Sequence, residues 1–128
     1  GVLMKIDLSN SEWKLMRRLW DHFPSTITEL TAALREETGW SKNTIITMLS
    51  RLEAKGAVRH EEGRKAKRYY PALRREDAAR DETESFLSKV YGGSLGLMMS
   101  AMVESRRLSE SDIAELSAIL EKAGGDDK

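Results

Sequence analysis

The apolar positions of this chain recur at three- and four-residue spacing over most of its length, and alternate every second residue only briefly. That pattern predicts a mostly helical fold with one small β-hairpin. Ser9-Asn10-Ser11-Glu12 is a capping box, in which a Ser and a Glu three residues on satisfy each other's free backbone amides. After it Trp13, Met16, Leu19, Trp20 and Phe23 share one face until Pro24, predicting a helix over about residues 11–22. Thr26-Ile27-Thr28-Glu29 repeats the device and leads into Leu30, Ala33 and Leu34, with Gly39 as the stop. Ser41 caps a third helix, whose inward stripe is Ile45, Met48, Leu49 and Leu52 and whose end is Gly56. Two short helices joined by a tight glycine-containing turn, behind a supporting first helix, predict a helix-turn-helix.

The period then changes. Residues 57–61 and 68–72 read as strands, and Gly63 permits a turn between them whose tip is strongly basic. This predicts a hairpin wing, with Pro71 marking an edge strand or its end. From Arg74 onward the helical period returns. Phe86, Leu87, Val90 and Tyr91 follow an acidic lead-in, Gly92-Gly93 breaks the helix, and residues 94–104 form a very apolar segment. A last helix from Ser109 carries Ile113, Leu116, Ile119 and Leu120 and is expected to end at Gly124-Gly125. The predicted organisation is therefore a winged helix-turn-helix over residues 1–73, a helical dimerisation module over 74–123 and a polar tail over 124–128.

Charge sharpens this division. The formal net charge is zero, yet residues 1–75 hold 15 Lys and Arg against 9 Asp and Glu, and residues 76–128 hold 6 against 12. A basic front half suits a polyanion, and an acidic back half suits protein or solvent. No apolar run is long enough to span a membrane, so no membrane insertion is expected. The first residues lack the basic-then-apolar pattern of a secretory leader. With no cysteine there is neither a disulfide framework nor a thiolate metal site, which fits a cytoplasmic protein.

With its apolar stripe inward, the third helix turns Asn43, Ile46, Thr47, Ser50 and Ala54 outward, with Lys42 and Arg51 to either side. Short side chains near the N-terminus of a helix let its backbone enter the major groove of DNA and reach base edges. Asn43 can pair with adenine, Thr47 can bond a base edge or touch a thymine methyl, and Lys42, Thr44 and Arg51 suit phosphates. The plainer alternative is a solvated helix face, although such faces carry more Glu and Lys than this one. Arg64, Lys65, Lys67 and Arg68 crowd the wing, where their mutual repulsion is relieved by a polyanion. The apolar segment from Leu95 to Val103 cannot bury itself within one helix, so it packs on its neighbours or on a second chain. The dimerisation residues expected are Phe86, Leu87, Val90, Tyr91, Leu95, Met98, Met99, Met102, Ile113, Leu116 and Leu120.

Catalysis and cofactor binding find no support. His22 and His60 are isolated in sequence, and no phosphate-binding glycine loop or zinc-protease motif is present, so no enzyme, no metal site and no cofactor is expected. Three functions fit the pattern: a dimeric repressor on a pseudo-palindromic operator, a regulator sensing a ligand among Trp13, Trp20 and the methionine segment, and a protein-interaction adaptor that does not bind DNA.

Leu8-Ser9-Asn10-Ser11-Glu12-Trp13 with Leu19-Trp20, the run SKNTIITMLSRL over residues 41–52, Tyr69-Tyr70-Pro71, and Phe86-Leu87 with Tyr91-Gly92-Gly93 resemble the penicillinase and methicillin-resistance repressors. These form the BlaI/MecI/CopY family with the copper-responsive repressors, and the resemblance covers about residues 6–122. It implies a homodimer with winged N-terminal domains and intertwined C-terminal helices, occupying double-stranded operator DNA until an inducing signal releases it. In the β-lactam branch it also implies a membrane sensor protease, or a protease downstream of it, and a cleaved bond that falls at Ala101-Met102 when counted from Tyr91-Gly92-Gly93. The β-lactam repressors carry Asn-Phe at that bond, and the copper branch carries a C-terminal cysteine cluster that this chain lacks. Where members often have Lys or Val, this chain has Asn43; where they often have Arg, it has Ile46. Both differences fall on the base-reading face, so an operator differing from the family's TACA/TGTA type is expected.

Overall fold

The computed structural model describes residues 5–126. The element order is α1 (Asn10–Asp21), α2 (Ile27–Thr38), α3 (Lys42–Lys55), β1 (Val58–Glu61), β2 (Arg68–Pro71), α4 (Arg75–Tyr91), α5 (Leu95–Glu104) and α6 (Glu110–Asp126). Two compact units divide the chain, one through Thr83 and one from Glu84.

Both capping boxes of the first unit form. The Ser9 hydroxyl accepts from the Glu12 amide at 3.1 Å, while the Ser9 amide donates to the Glu12 carboxylate at 2.8 Å. Thr26 and Glu29 repeat this at 3.1 and 2.9 Å. A helix N-cap of this type contributes about 1 kcal/mol. Gly39 and Gly56 close α2 and α3 in the left-handed region, at φ +67° and +84°. The core is built from Leu15, Met16 and Leu19 of α1, Leu30 and Leu34 of α2, Ile45, Met48, Leu49 and Leu52 of α3, and Ala57, Val58 and Tyr69 around the hairpin.

Two core assignments from periodicity change. Leu15 is fully buried, whereas Phe23 lies beyond the end of α1 and is 57% exposed. On α2 the inward strip runs through Ile27, Leu30, Thr31 and Leu34, so Ala33 falls outside it and is exposed. Thr31 is buried without penalty because its hydroxyl donates to the Ile27 carbonyl at 2.7 Å.

β1 and β2 pair antiparallel, with His60 opposite Tyr69 and Val58 opposite Pro71. Pro71 is the last residue of β2, so its missing N–H interrupts nothing further along. On its other side β2 meets Ser25. Their backbones exchange two hydrogen bonds, Ser25 N to Tyr69 O at 3.1 Å and Tyr69 N to Ser25 O at 2.9 Å. The hairpin is thereby anchored to the turn between α1 and α2. Trp13 and Trp20 pack edge-on at 5.6 Å, and the Trp20 indole N–H donates to the Leu73 carbonyl at 2.9 Å.

Lys55, at the end of α3, closes the unit. Its ammonium donates to the Asp7 carbonyl at 2.8 Å and to Glu12 at 2.6 Å. Burial pushes the Glu12 carboxyl up, but the Lys55 and Ser9 hydrogen bonds and the Lys55 charge together outweigh it and hold the group below its ordinary 4.5. A depressed carboxyl stabilises the fold above its unfolded pKa, and that contribution is lost as pH falls through the folded one. Lys55→Met is therefore expected to remove about 1–2 kcal/mol near neutral pH, discounted because the lysine is partly solvated. The difference from the parent chain should shrink below about pH 4, which urea unfolding at the two pH values would check.

The first turns of α4 belong to this unit. Ala78 is 4% exposed in the core, and Arg75 meets Asp21 at 2.6 Å while lying over the Trp20 ring at 5.4 Å. The unit thus extends to Thr83, ten residues past the boundary that the change of pattern suggested.

The second unit comprises the later turns of α4 with α5 and α6. Gly92 and Gly93, at φ +57° and +85°, end α4 as expected. Ser94 caps α5 through the Leu97 amide at 3.1 Å, and Ser109 and Asp112 cap α6 reciprocally at 3.0 and 3.1 Å. α6 continues through Gly124 and Gly125 to Asp126, so the expected tail is helical as far as it is described. Two glycines lower helix propensity by about 1 kcal/mol each without being incompatible with helical backbone. Among the described residues none of this unit is buried, and no helix is long and apolar enough to cross a membrane.

Candidate nucleic-acid interface

α3 divides as its sequence suggests. Ile45, Leu49 and Leu52 are fully buried, while Lys42, Asn43, Ile46, Thr47, Ser50, Arg51 and Ala54 are exposed. Ile46 keeps 42% of its surface open, an uncommon placement for an isoleucine flanked by Asn and Thr. The Ser41 hydroxyl accepts from the Thr44 amide at 3.2 Å and shares a hydrogen bond with the Thr44 hydroxyl at 3.1 Å. Thr44 is accordingly half-buried and engaged with its own cap. Asn43, Thr44, Thr47 and Arg51 line a shallow recess whose floor includes the edge of Met48, itself buried in the core as expected. α1 and α2 each carry a glutamate in the first turn, but α3 carries no acid there. The partial positive charge of its N-terminus is left for an anion.

The wing stands beside this face of the chain in sequence and within the same unit. Arg64, Lys65, Lys67 and Arg68 are all exposed. Gly63 is needed for space: a Cβ there would lie 2.3 Å from the Ala66 carbonyl oxygen, so the basic turn closes only without a side chain. Arg64, Lys65 and Arg68 also border a recess that includes Thr26, the N-cap of α2, a neighbour that spacing alone did not reveal. On the outer strand face Arg59 lies over the Tyr70 ring at 4.2 Å and meets Glu61 at 3.2 Å.

His60 is not isolated once the chain folds. Its Nδ1 is hydrogen-bonded to Glu53 of α3, its Nε2 lies 3.6 Å from Glu62, and its ring is 5.5 Å from Tyr69. Burial, then the charges of Glu53 and Glu62, push the Tyr69 phenol up. Trp13 and Trp20 are committed to each other and to Leu73, and the recess beside Trp20, lined also by Asp21, Phe23 and Arg75, is open to solvent. These tryptophans brace the exit of the hairpin.

In the second unit Phe86, Val90, Leu95, Ile113 and Leu120 are between 45% and 66% exposed, and Leu87, Tyr91, Met98, Met99, Met102 and Leu116 are half-buried. Leu97, Val103 and Ile119 are exposed too, at 55–60%. Ala101 and Met102 lie inside α5, both half-buried.

A helix with short, nearly uncharged outward side chains and a neighbouring basic hairpin define a winged helix-turn-helix of the DNA-binding repressor class. The chain belongs to the penicillinase repressor family, whose model matches residues 8–122. It is 34% identical over 115 residues to a penicillinase repressor of Bacillus licheniformis, covering 90% of each chain. It is 28% identical over 116 residues to the methicillin resistance regulatory protein MecI of Staphylococcus aureus, covering 91% of this chain and 94% of that one. Among solved structures it resembles the monomeric form of Bacillus licheniformis BlaI in complex with the blaP half-operator. That match has a TM-score of 0.51 and 34% identity, over 57% of this chain and 90% of the other.

Proposed function

We propose that this chain is a homodimeric repressor that occupies a pseudo-palindromic operator in the cytoplasm, with α3 in the major groove and the wing on flanking phosphates. The observation that carries the reading is the outward face of α3, where Ile46 stays 42% exposed between Asn43 and Thr47. An exposed isoleucine gains little in water and gains contact against a thymine methyl. Asn43 and Thr47 take base edges, Ser50 lies further along the same strip, and Lys42, Thr44 and Arg51 take phosphates together with the unneutralised helix N-terminus. Arg64, Lys65, Lys67 and Arg68 add affinity without sequence information. A second copy covers the apolar surface of the second unit, because none of that unit's described residues is buried within one chain.

Release by an inducing signal acts on that second unit. Cleavage at Ala101-Met102 requires α5 to unwind first, since both residues sit in helical backbone.

Asn43→Ala or Thr47→Ala is expected to lose about 1–3 kcal/mol at particular base pairs. Lys65→Ala should weaken all duplexes alike and reduce the salt slope by about one unit. Binding isotherms on a duplex selected from a random library, across a salt series, would check both. A change of base preference in Lys65→Ala would overturn the assignment of the wing.

A further inference from the structure

Both ring nitrogens of His60 face carboxylates, Nδ1 toward Glu53 and Nε2 toward Glu62 at 3.6 Å. A neutral imidazole has one N–H to give, whereas an imidazolium has two. Only the imidazolium turns an N–H toward both carboxylates at once, as a hydrogen bond to Glu53 and, at 3.6 Å, as an ion pair with Glu62. The two acids come from different parts of the reading apparatus. Glu53 lies near the end of α3, whose first half presents Asn43 and Thr47, and Glu62 lies two residues before Arg64 at the tip of the wing. From β2, the third group facing the ring is the Tyr69 phenol, itself crowded by the same two carboxylates.

We infer that His60 is a positioning residue for DNA binding, whose protonated ring ties the wing to the recognition helix and draws Glu62 away from the phosphates. The inference rests on the DNA-binding reading above. When the ring loses its proton to solvent, the remaining N–H stays with Glu53 and a lone pair is turned on Glu62. The Glu62 side chain, 76% exposed, is then released as a free negative charge two residues before Arg64 in the chain. Duplex affinity is therefore higher with the ring protonated than with it neutral.

The test uses the full chain and a fluorescein-labelled duplex of mixed sequence, which reports phosphate affinity without knowledge of the operator. At fixed low salt the parent chain is expected to bind about threefold to fivefold more tightly at about pH 6 than at about pH 8. His60→Gln should flatten that ratio to about one, whereas His22→Gln, at an exposed site outside this cluster, should keep it. Glu62→Gln, which is too exposed to threaten the fold, should tighten binding at the higher pH and leave it unchanged at the lower. A His60→Gln chain that keeps the parental ratio, or a Glu62→Gln effect equal at both pH values, overturns the inference. If the parent chain shows no salt-dependent binding at all, the DNA-binding reading fails and this inference with it.

Discussion

A chain ended after Thr83 should stay folded and bind a dyad-bearing duplex about a hundredfold more weakly than the full chain, or worse. The two halves of this expectation come from different observations. The first unit has its own core of Leu15, Met16, Leu19, Leu30, Ile45, Leu49 and Leu52, each with no exposed surface, and it already contains the first turns of α4. The second unit holds no buried residue among those described, while eight of its large apolar side chains are 45–66% exposed. Covering the exposed half of one such side chain contributes about 1 kcal/mol, which supports the proposed association of two copies. Once two winged units are joined, the second half-site is filled from the same complex rather than from solution, and that gain is what the shortened chain forfeits. Sedimentation would give the state of association and fluorescence anisotropy the affinity. A shortened chain that bound the dyad as tightly as the parent would exclude the second unit as the joint between copies.

Leu49→Ala is expected to lose about 3–4 kcal/mol of stability and to lower the melting temperature by about 15 °C or more. Leu49 is fully buried on α3, among Ile45, Leu52 and the core residues of α1 and α2. Its removal leaves a cavity whose walls are other helices and cannot simply collapse. Ile46, about one turn back and outside the buried stripe, provides the contrast. Ile46→Ala should shift stability by no more than about 0.5 kcal/mol while changing DNA affinity, because 42% of that side chain meets solvent. Thermal melts by circular dichroism separate the two. Equal destabilisation by both substitutions would mean that the outward face of α3 is not free for a ligand.

Much of this molecule is legible in its sequence because its helices announce their own ends. Ser9 with Glu12, Thr26 with Glu29, Ser41, Gly39 and Gly56 are local devices acting over three or four residues, so they need no knowledge of the fold. The outward strip of α3 follows from the same local geometry, as does the basic hairpin. What escaped was set by partners distant in sequence. Ala78 joins a core whose other members lie more than eight residues upstream, so the first unit runs past the change of pattern at Arg74. His60 seemed isolated because Glu53 is on the preceding helix, across the turn at Gly56, and only the fold brings them together. Thr31 displaced Ala33 from the core because a hydroxyl that can bond the Ile27 carbonyl is no longer polar in effect. Hydropathy has no means of registering such a bond.

The two backbone hydrogen bonds between Ser25 and Tyr69 bear on more than the placing of the hairpin. A two-stranded ribbon offers a bare edge on either side, and a bare edge is a template on which other chains polymerise. Ser25 shields one of them, at the point where the buried Tyr69 would otherwise present its own amide and carbonyl. The shield itself is main chain, while the buried Ser25 hydroxyl holds the turn by donating to the His22 carbonyl at 2.6 Å. Proline alone removes the main-chain donor. The wing can therefore stay short, basic and exposed without becoming the seed of an aggregate.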